Sequence, residues 1–224
     1  MYFALTVGTT PGVYTSAADA EAAKGDHALP LSIPCKDLAS ARACMELFAG
    51  AVAVVYTDGA CKGNGSKTVD SAGVGVYWGR DDPRNVTRLV RGTPTNNVAE
   101  LEAVEDAVDT IIGDCALAGQ KVVIATDSRY TIDVLRTWYA GFVRRGWMTA
   151  SGHPVANQDI IRRIHDKLPA TTVFAHIRGH KDHVGNIAAD ALAVAAVEAV
   201  MAAKSTSPKV TFKRQGNMKA KVAV

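Results

Sequence analysis

The chain has 224 residues, of which 48% are apolar and 21% are charged, and its formal net charge is +3. That length accommodates one domain of ordinary size with an accessory segment, and the composition is typical of a globular protein. No uninterrupted apolar run reaches the roughly 18 residues of a membrane span, so we predict no contact with a membrane. No basic stretch precedes an apolar core near the N-terminus, which argues against a secretion signal.

The cysteines point to a reducing compartment. Cys35, Cys44, Cys61 and Cys115 form neither a CxxC pair nor the spacing of a zinc site. Free thiols of this kind are typical of proteins that stay inside the cell. We therefore predict an intracellular protein, cytoplasmic or nuclear, that is not secreted.

The positive charge lies at one end of the chain. Residues 1–50 contain three basic and five acidic residues, and residues 51–203 contain sixteen and seventeen. Residues 204–224 contain six basic residues and no acid. We predict a small first segment, a main domain and a basic, flexible tail in these three ranges. The tail either contacts nucleic acid through counterion release or is a solvated end without a partner.

The main domain alternates between strand and helix patterns. Strands are predicted at 52–58, 72–79, 85–91, 121–127 and 172–177, and helices at 96–112, 128–140, 157–168 and 186–203. Three strands joined by short loops are followed by strands that alternate with helices. This order indicates an α/β fold in which helices pack on a mixed sheet.

Two of the predicted strands finish on an acid that follows a threonine. Asp58 comes after VVYT, and Asp127 comes after VVIAT. Each has an ordinary explanation, because Asp58-Gly59 is a turn signal and Asp127 can cap the next helix. However, adjacent central strands bring their carboxyl ends to one edge of a sheet, where ligands of α/β folds bind. We therefore expect both acids at a ligand-binding edge.

A third acid lies at the edge of an apolar helix face. Glu100 has helical spacing to Val104, which belongs to the core-facing stripe. Glu102, Asp106 and Asp109 are predicted to lie on the opposite, solvated side. The helix dipole favours an acid in the first turn, but it does not explain why this acid faces inwards.

A fourth acid and two histidines follow in the stretch from 177 to 193. Asp190 shares its helix face with Ile187 and Val194, so it is also expected to face inwards. Inward acids at one edge repel each other at neutral pH unless protons or a cation compensate their charge. An all-oxygen site suits magnesium or manganese. His180 and His183 flank the preceding loop, although a lone histidine is more often an ordinary surface or core residue.

These motifs together resemble those of the type 1 ribonucleases H. TDGA (57–60), TNNVAE (95–100), TDS (126–128) and GHxxHxGNxxAD (179–190) occur in the family's order along about 150 residues. VYWG (76–79) and the basic stretch 138–152 are similar to the cellular eukaryotic branch. The resemblance implies a ribonuclease H-like fold, with a five-stranded mixed sheet flanked by helices. It also implies an endonuclease that hydrolyses the RNA strand of RNA–DNA hybrids, leaving 5′-phosphate and 3′-hydroxyl ends.

The resemblance further implies catalytic roles for five residues. Asp58, Glu100, Asp127 and Asp190 match the family's carboxylates, which hold two Mg²⁺ ions, with Mn²⁺ able to substitute. His180 matches the loop histidine that assists proton transfer or product release, work that suits a group with a pKa near ~6.5. We expect a monomer that needs no small-molecule cofactor.

Substrate contacts are implied by the same resemblance. The matching residues are Asn64, Asn96 and Asn97 for RNA 2′-hydroxyls, Thr95 and Asn157 for a DNA phosphate, and Tyr130 and Trp138 for the DNA strand. One departure bears on this set: Thr93 stands where the phosphate pocket often has an arginine, which predicts a weaker grip. Arg178 and Ile187 also depart from the family pattern, but neither replaces a metal ligand.

The first segment resembles the hybrid-binding domain of eukaryotic type 1 ribonucleases H. Its skeleton FALxxGxxPGVYxS begins at Phe3, but Ala17 stands where that domain has a base-contacting tryptophan. Because stacking is worth roughly 1–3 kcal/mol per base, its loss predicts weak binding. We interpret residues 1–50 as a degenerate, small α+β segment that is either a relic or serves another partner. The very short linker at 48–51 predicts packing against the catalytic domain.

The predicted organisation is therefore a hybrid-binding-like segment (1–50), a catalytic domain (51–203) and the tail (204–224). Two other functions stay open. The first alternative is a nucleic-acid-binding module without catalysis. The second is a DNA-directed two-metal nuclease of the same fold. The four carboxylates argue against the first alternative, and the asparagines with Trp138 argue against the second.

Overall fold

The structure is a computed structural model that describes residues 1–25, 29–61, 71–179 and 183–206. The predictions for Asn64, for His180 and for tail residues 207–224 lie outside the described residues. Residues 1–50, called the N-terminal unit below, contain β1 (Tyr2–Val7), β2 (Gly12–Tyr14), α1 (Ala17–Lys24), β3 (Leu31–Cys35) and α2 (Leu38–Phe48). The strands form an antiparallel sheet in the order β2-β1-β3. The expected small α+β segment is confirmed.

The main sheet is mixed and has five strands, as predicted. Its strands are β4 (Ala53–Cys61), β5 (Ala72–Tyr77), β6 (Val86–Leu89), β7 (Val122–Thr126) and β8 (Thr172–His176). They lie in the order β6-β5-β4-β7-β8. Pairing is antiparallel from β4 through β5 to β6 and parallel from β4 through β7 to β8.

The helices agree with the prediction except in one region. They are α3 (Asn96–Gly113), α4 (Arg129–Ile132), α5 (Tyr139–Arg144), α6 (Gln158–Lys167) and α7 (Val184–Thr206). A π-helical turn, Asp133–Thr137, separates α4 from α5. There the amide of Trp138 donates to the carbonyl of Asp133 at 2.7 Å, one residue farther back than in an α-helix. The predicted helix 128–140 is therefore interrupted.

The two faces of the sheet build two cores. Val55 and Ile124 point to the face covered by α3, where Leu101 and Val104 are fully buried. Their neighbours along the strands point to the opposite face, because successive side chains alternate. That face holds Tyr56 with residues of α7 and of the N-terminal unit.

Two predicted acids are buried rather than solvated. Glu102 and Asp106 on α3 are 3% and 7% exposed. Arg88 of β6 donates to Glu102 at 2.5 Å and to Asp106 at 2.7 Å. The predicted solvated side of α3 was therefore wrong for these two acids, because paired arginines allow carboxylates to be buried there. Asp109 is exposed, as predicted.

The last helix has the composition of a membrane span. Among the described residues, only Val184–Ala202 of α7 is long and apolar enough, with a mean hydropathy of 1.6. The same composition occurs in core helices, and Ala189, Ala193 and Val197 of α7 are fully buried in this structure. This is weak evidence for a membrane, and the prediction of no membrane contact stays a prediction.

Candidate active site

Two of the predicted acids lie where the parallel pairing of β4 and β7 ends. The last parallel pair joins Tyr56 to Ala125, and Asp58 and Asp127 each follow two residues later. Asp127 comes after β7 has ended, as predicted. Asp58 does not end its strand, because β4 continues to Cys61 while Asp58 pairs with Gly75 of β5. Asp58-Gly59 is therefore part of a strand and not a turn.

Gly59 brings α3 close to this edge. A Cβ atom at Gly59 would lie 2.6 Å from the amide nitrogen of Glu100 and 2.8 Å from the Cβ of Ala99. Any larger residue would therefore push α3 away from β4. Because Thr95 caps the helix and α3 begins at Asn96, Glu100 lies in the second turn. A preference of acids for the first turn therefore does not account for Glu100.

Three carboxylates meet at this edge. Oxygens of Asp58, Glu100 and Asp127 all lie within 4.8 Å of one another. Asp58 and Glu100 are buried, at 4% and 5% exposure, and Asp127 is half-buried. The inward direction predicted for Glu100 is confirmed by this geometry.

Asp190 joins the cluster from the opposite face of the sheet. The backbone of its neighbour Ala189 lies against Gly75, which is the residue paired with Asp58. The charge of Asp190 acts on Asp58 and raises its pKa. Three of the predicted carboxylates therefore lie within 4.8 Å of one another, and the helix of the fourth, Asp190, packs against the strand paired with Asp58.

The pKa shifts show how closely these charges are packed. Burial raises the pKa of Asp58 to about 8, with the nearby Asp127 and Asp190 adding to the increase. The amide of Gly59 opposes this shift by donating to Asp58 Oδ1 at 2.8 Å. Burial, followed by the charges of Asp58 and Asp127, raises the pKa of Glu100 well above its usual value. Without a cation, burial and the neighbouring charges therefore disfavour the charged forms of both buried acids.

The donor set fits a hard divalent cation. Asp58 Oδ2 and Glu100 Oε2 are buried and have no hydrogen-bond partner among the residues that the structure describes. A buried carboxylate oxygen without a partner is costly, and a metal ion would satisfy both. Oxygen ligands alone suit Mg²⁺ or Mn²⁺ and do not suit a thiophilic metal. A metal-binding cluster of acids is therefore present.

The loop that carries His180 begins beside this cluster. His180 itself lies outside the described residues. Gly179, which precedes it, lies so close to Asp127 that an added Cβ would collide with Oδ2 of that carboxylate. The loop thus leaves the sheet next to the acids.

The predicted aromatic contacts lie together in one groove. Tyr130, Trp138 and Phe142 line an apolar cavity of about 390 Å³ beside α4 and α5. Trp138 is 44% exposed, and its ring packs edge-on to Phe142. Asn157 donates from Nδ2 to the hydroxyl of Tyr130 at 3.0 Å, which joins the start of α6 to this groove.

The start of α3 presents the other predicted contacts. Thr95 is exposed, but its side chain accepts a hydrogen bond from the amide of Val98 at 3.2 Å and caps the helix. Asn97 is exposed, and Asn96 is half-buried. Asn64 lies outside the described residues.

A second groove contains two cations that the motifs did not predict. Arg91 and Arg163 line a cavity of about 620 Å³ together with Thr93 and Asn157. Arg163 is held by Glu105, which accepts from its Nε at 3.0 Å. Both arginine side chains are more than half exposed, and their guanidinium groups pair with Glu105 and, for Arg91, also with Asp106. No motif pointed to this groove, because Arg163 and the acid that holds it, Glu105, lie on different helices.

Comparisons with known proteins identify the family of the main domain. The family model described as RNase H matches residues 50–198. Ribonuclease H1 of Mus musculus is 37% identical over 147 residues, 65% of this chain and 50% of that protein. Ribonuclease H of Schizosaccharomyces pombe is 38% identical over 142 residues, 62% of this chain and 51% of that protein. The chain thus spans about half the length of these relatives.

A solved structure shows the same fold. The PFV RNase H domain is 22% identical and has a TM-score of 0.51, and the match covers 66% of this chain and 94% of that one. At this identity the likeness concerns the fold alone.

Proposed function

The chain belongs to the RNase H family, and from this premise we propose that it is an endonuclease that hydrolyses the RNA strand of RNA–DNA hybrids. The cluster of Asp58, Glu100 and Asp127, with Asp190 beside it, is the observation that carries this proposal. The products would have 5′-phosphate and 3′-hydroxyl ends. In this proposal residues 51–203 form the catalytic domain, and residues 1–50 and 204–224 are accessory.

Two magnesium ions are the proposed cofactors, with manganese able to substitute. Asp58, Glu100, Asp127 and Asp190 would hold them. When bound, such ions supply an activated water and stabilise the leaving oxygen of an in-line displacement. The protein contributes preorganisation, because burial and the Gly59 amide fix the orientation of Asp58 before any ligand arrives.

His180 is proposed to move a proton at its imidazole or to assist product release. The position of Gly179 next to Asp127 supports this role, since the loop starts at the acids. An imidazole titrates near neutral pH, so it can give or take a proton at this edge.

Two surfaces are proposed to recognise the two strands of the hybrid. Asn96 and Asn97, with Asn64, would contact RNA 2′-hydroxyls, which distinguish RNA from DNA. The exposed ring of Trp138, with Tyr130, would lie against the deoxyribose of the DNA strand.

The second groove is proposed to hold a phosphate of the DNA strand. Asn157 and Thr95 would contribute polar contacts there. Arg91 and Arg163, which line this groove, would compensate for the missing arginine at Thr93. A guanidinium group can donate two hydrogen bonds to a pair of phosphate oxygens, so this groove would bind a phosphate without an arginine at position 93.

A cleavage assay with three substrates tests the proposal. An RNA–DNA hybrid, a double-stranded RNA and a double-stranded DNA of one sequence would be incubated with the protein and Mg²⁺. Cleavage of the RNA strand of the hybrid alone is expected. Hybrid binding without cleavage would instead identify a binding module, and cleavage of DNA would identify a DNA-directed nuclease. The monomeric state and the cytoplasmic or nuclear location stay predictions.

A further inference from the structure

Tyr56 connects three parts of the molecule. It is fully buried in β4, two residues before Asp58. Its hydroxyl donates to the carbonyl of Pro30 in the N-terminal unit at 3.1 Å. Its ring lies against Gly185 in the first turn of α7, so closely that an added Cβ would collide with the ring carbons. One side chain therefore touches the N-terminal unit, the strand of Asp58 and the helix of Asp190.

The N-terminal unit completes the core around this tyrosine. Leu31 is fully buried, and Phe48 is 4% exposed, in a cluster with Tyr56. The same cluster includes Ala175 of β8 and Ala189 of α7. Burial of this kind is the main source of stability in a domain, so the N-terminal unit and the main domain share one hydrophobic core.

The connection between the two parts is also fixed. The side chain of Lys121, just before β7, donates to the carbonyls of Leu47 at 3.2 Å and Ala49 at 2.7 Å. The amide of Val52 donates to the carbonyl of Lys121 at 2.9 Å. The short linker is therefore tied to the sheet, and the packing predicted for it is found.

The unit also lies beside Arg178 and His183, which flank the segment that contains His180 in the sequence. A cavity of about 280 Å³ has Ser32 and Pro34 of the unit on one side. Arg178 and His183, which stand on either side of residues 180–182, line the other side. The unit therefore borders both ends of this segment.

We propose that the N-terminal unit holds the active-site residues in position, and that Tyr56 is the positioning residue through which it acts. The catalytic part of this inference rests on the proposed function. Through the hydrogen bond between Tyr56 and Pro30, the unit fixes Tyr56, and Tyr56 in turn fixes Asp58 and the first turns of α7. This role needs no contact with nucleic acid, which suits a unit with five acidic and three basic residues.

The test compares two tyrosine-to-phenylalanine variants of the full chain. Tyr56→Phe removes the hydrogen bond to Pro30 and keeps the ring. Tyr14→Phe is the matched control, because its hydroxyl also bonds to a backbone carbonyl, that of Thr10 at 2.6 Å, but on the outer surface of the unit. Amide hydrogen exchange of peptides covering 53–61 and 184–190 is measured in both variants, together with kcat and KM on the hybrid.

Tyr56→Phe is expected to speed exchange in both peptides by about five-fold, since a hydrogen bond is worth roughly 1 kcal/mol. It should lower kcat several-fold and leave KM unchanged, because the acids shift while the substrate surfaces do not. Tyr14→Phe should change neither measurement. Unchanged exchange at 184–190 in Tyr56→Phe, or equal changes in both variants, would overturn the proposal. Hydrogen exchange needs no substrate, so it decides this inference even if the wild type cleaves no hybrid.

Discussion

Asp58 and Glu100 come from a strand and a helix, yet their carboxylate oxygens lie within 4.8 Å of each other. Gly59 makes this approach possible, because its missing side chain leaves room for the backbone of α3. Two buried carboxylates at that separation cannot both be charged without compensation. The site is therefore built to bind either protons or a cation.

Asp127→Asn is expected to reduce hybrid cleavage to background and to leave hybrid binding within about two-fold. The carboxylate is needed to hold metal, whereas binding depends on the groove residues. Single-turnover cleavage and a binding titration on the same hybrid are the measurements. Magnesium-dependent cleavage by a preparation free of host nuclease would contradict the four-carboxylate assignment.

Asp58→Asn is expected to stabilise the metal-free protein while it abolishes activity. Burial raises the pKa of Asp58 to about 8 in the folded protein, whereas an unfolded aspartate titrates near ~3.9. Between these values the folded state binds more protons, so the free energy of unfolding falls as pH rises. The stabilisation by the protonated Asp58 carboxyl is complete below its pKa in the unfolded chain, ~3.9. It is lost as the pH rises through its pKa in the folded protein, about 8.

Thermal unfolding in a chelator at pH 6 and pH 8.5 measures this effect. The Tm of Asp58→Asn should exceed that of the wild type at pH 8.5, by about 2–4 °C for each kcal/mol recovered. Adding Mg²⁺ should raise the Tm of the wild type and not that of the variant. Asp109→Asn, an exposed acid on α3, is the control and should change little. A variant less stable than the wild type at both pH values would refute the prediction.

His180→Ala is expected to lower turnover by roughly 10²-fold, the lower end of a general acid–base contribution, with little change in affinity. The residue is not a proposed metal ligand, so the metals should still bind. Single- and multiple-turnover kinetics separate proton transfer from product release. Either full activity or complete inactivity would exclude an auxiliary role.

Arg163→Ala is expected to weaken hybrid binding by roughly ten-fold, or 1.4 kcal/mol, and to reduce the salt slope by about one. Lys167→Ala is the matched control, because Lys167 pairs with the same Glu105 at 3.3 Å but does not line the groove. Both variants would be titrated with hybrid at several salt concentrations, and their Tm values would be measured. Equal loss of affinity in the two variants would show that the effect comes from Glu105 and not from a phosphate contact.

Removal of residues 207–224 is expected to flatten the salt dependence of hybrid binding and to leave cleavage specificity unchanged. The segment carries five basic residues and no acid, so it can release counterions from any nucleic acid. Specificity depends on the proposed contacts near α3 and α5. A truncated protein that cleaves double-stranded DNA would move substrate recognition to the tail.

Local patterns in the sequence were sufficient for the main sheet and for the four acids. Alternating and helical periodicities depend on neighbouring residues alone, and they placed β4, β7 and α3 to within a few residues. The inward direction of Glu100 followed from its spacing to Val104 for the same reason. The order of the motifs then identified the family.

Contacts between distant segments were decided only by the tertiary structure. Glu102 and Asp106 looked solvated because Arg88, which pairs with both, lies on a different element. Asp58 was predicted to end its strand because the residues next to it in the sequence do not show that it pairs with Gly75 of β5. The role of Tyr56 depends on Pro30 and Gly185, which no local pattern connects to it. Periodicity shows which side of an element is apolar, but the partner that covers it is chosen by packing of the whole chain.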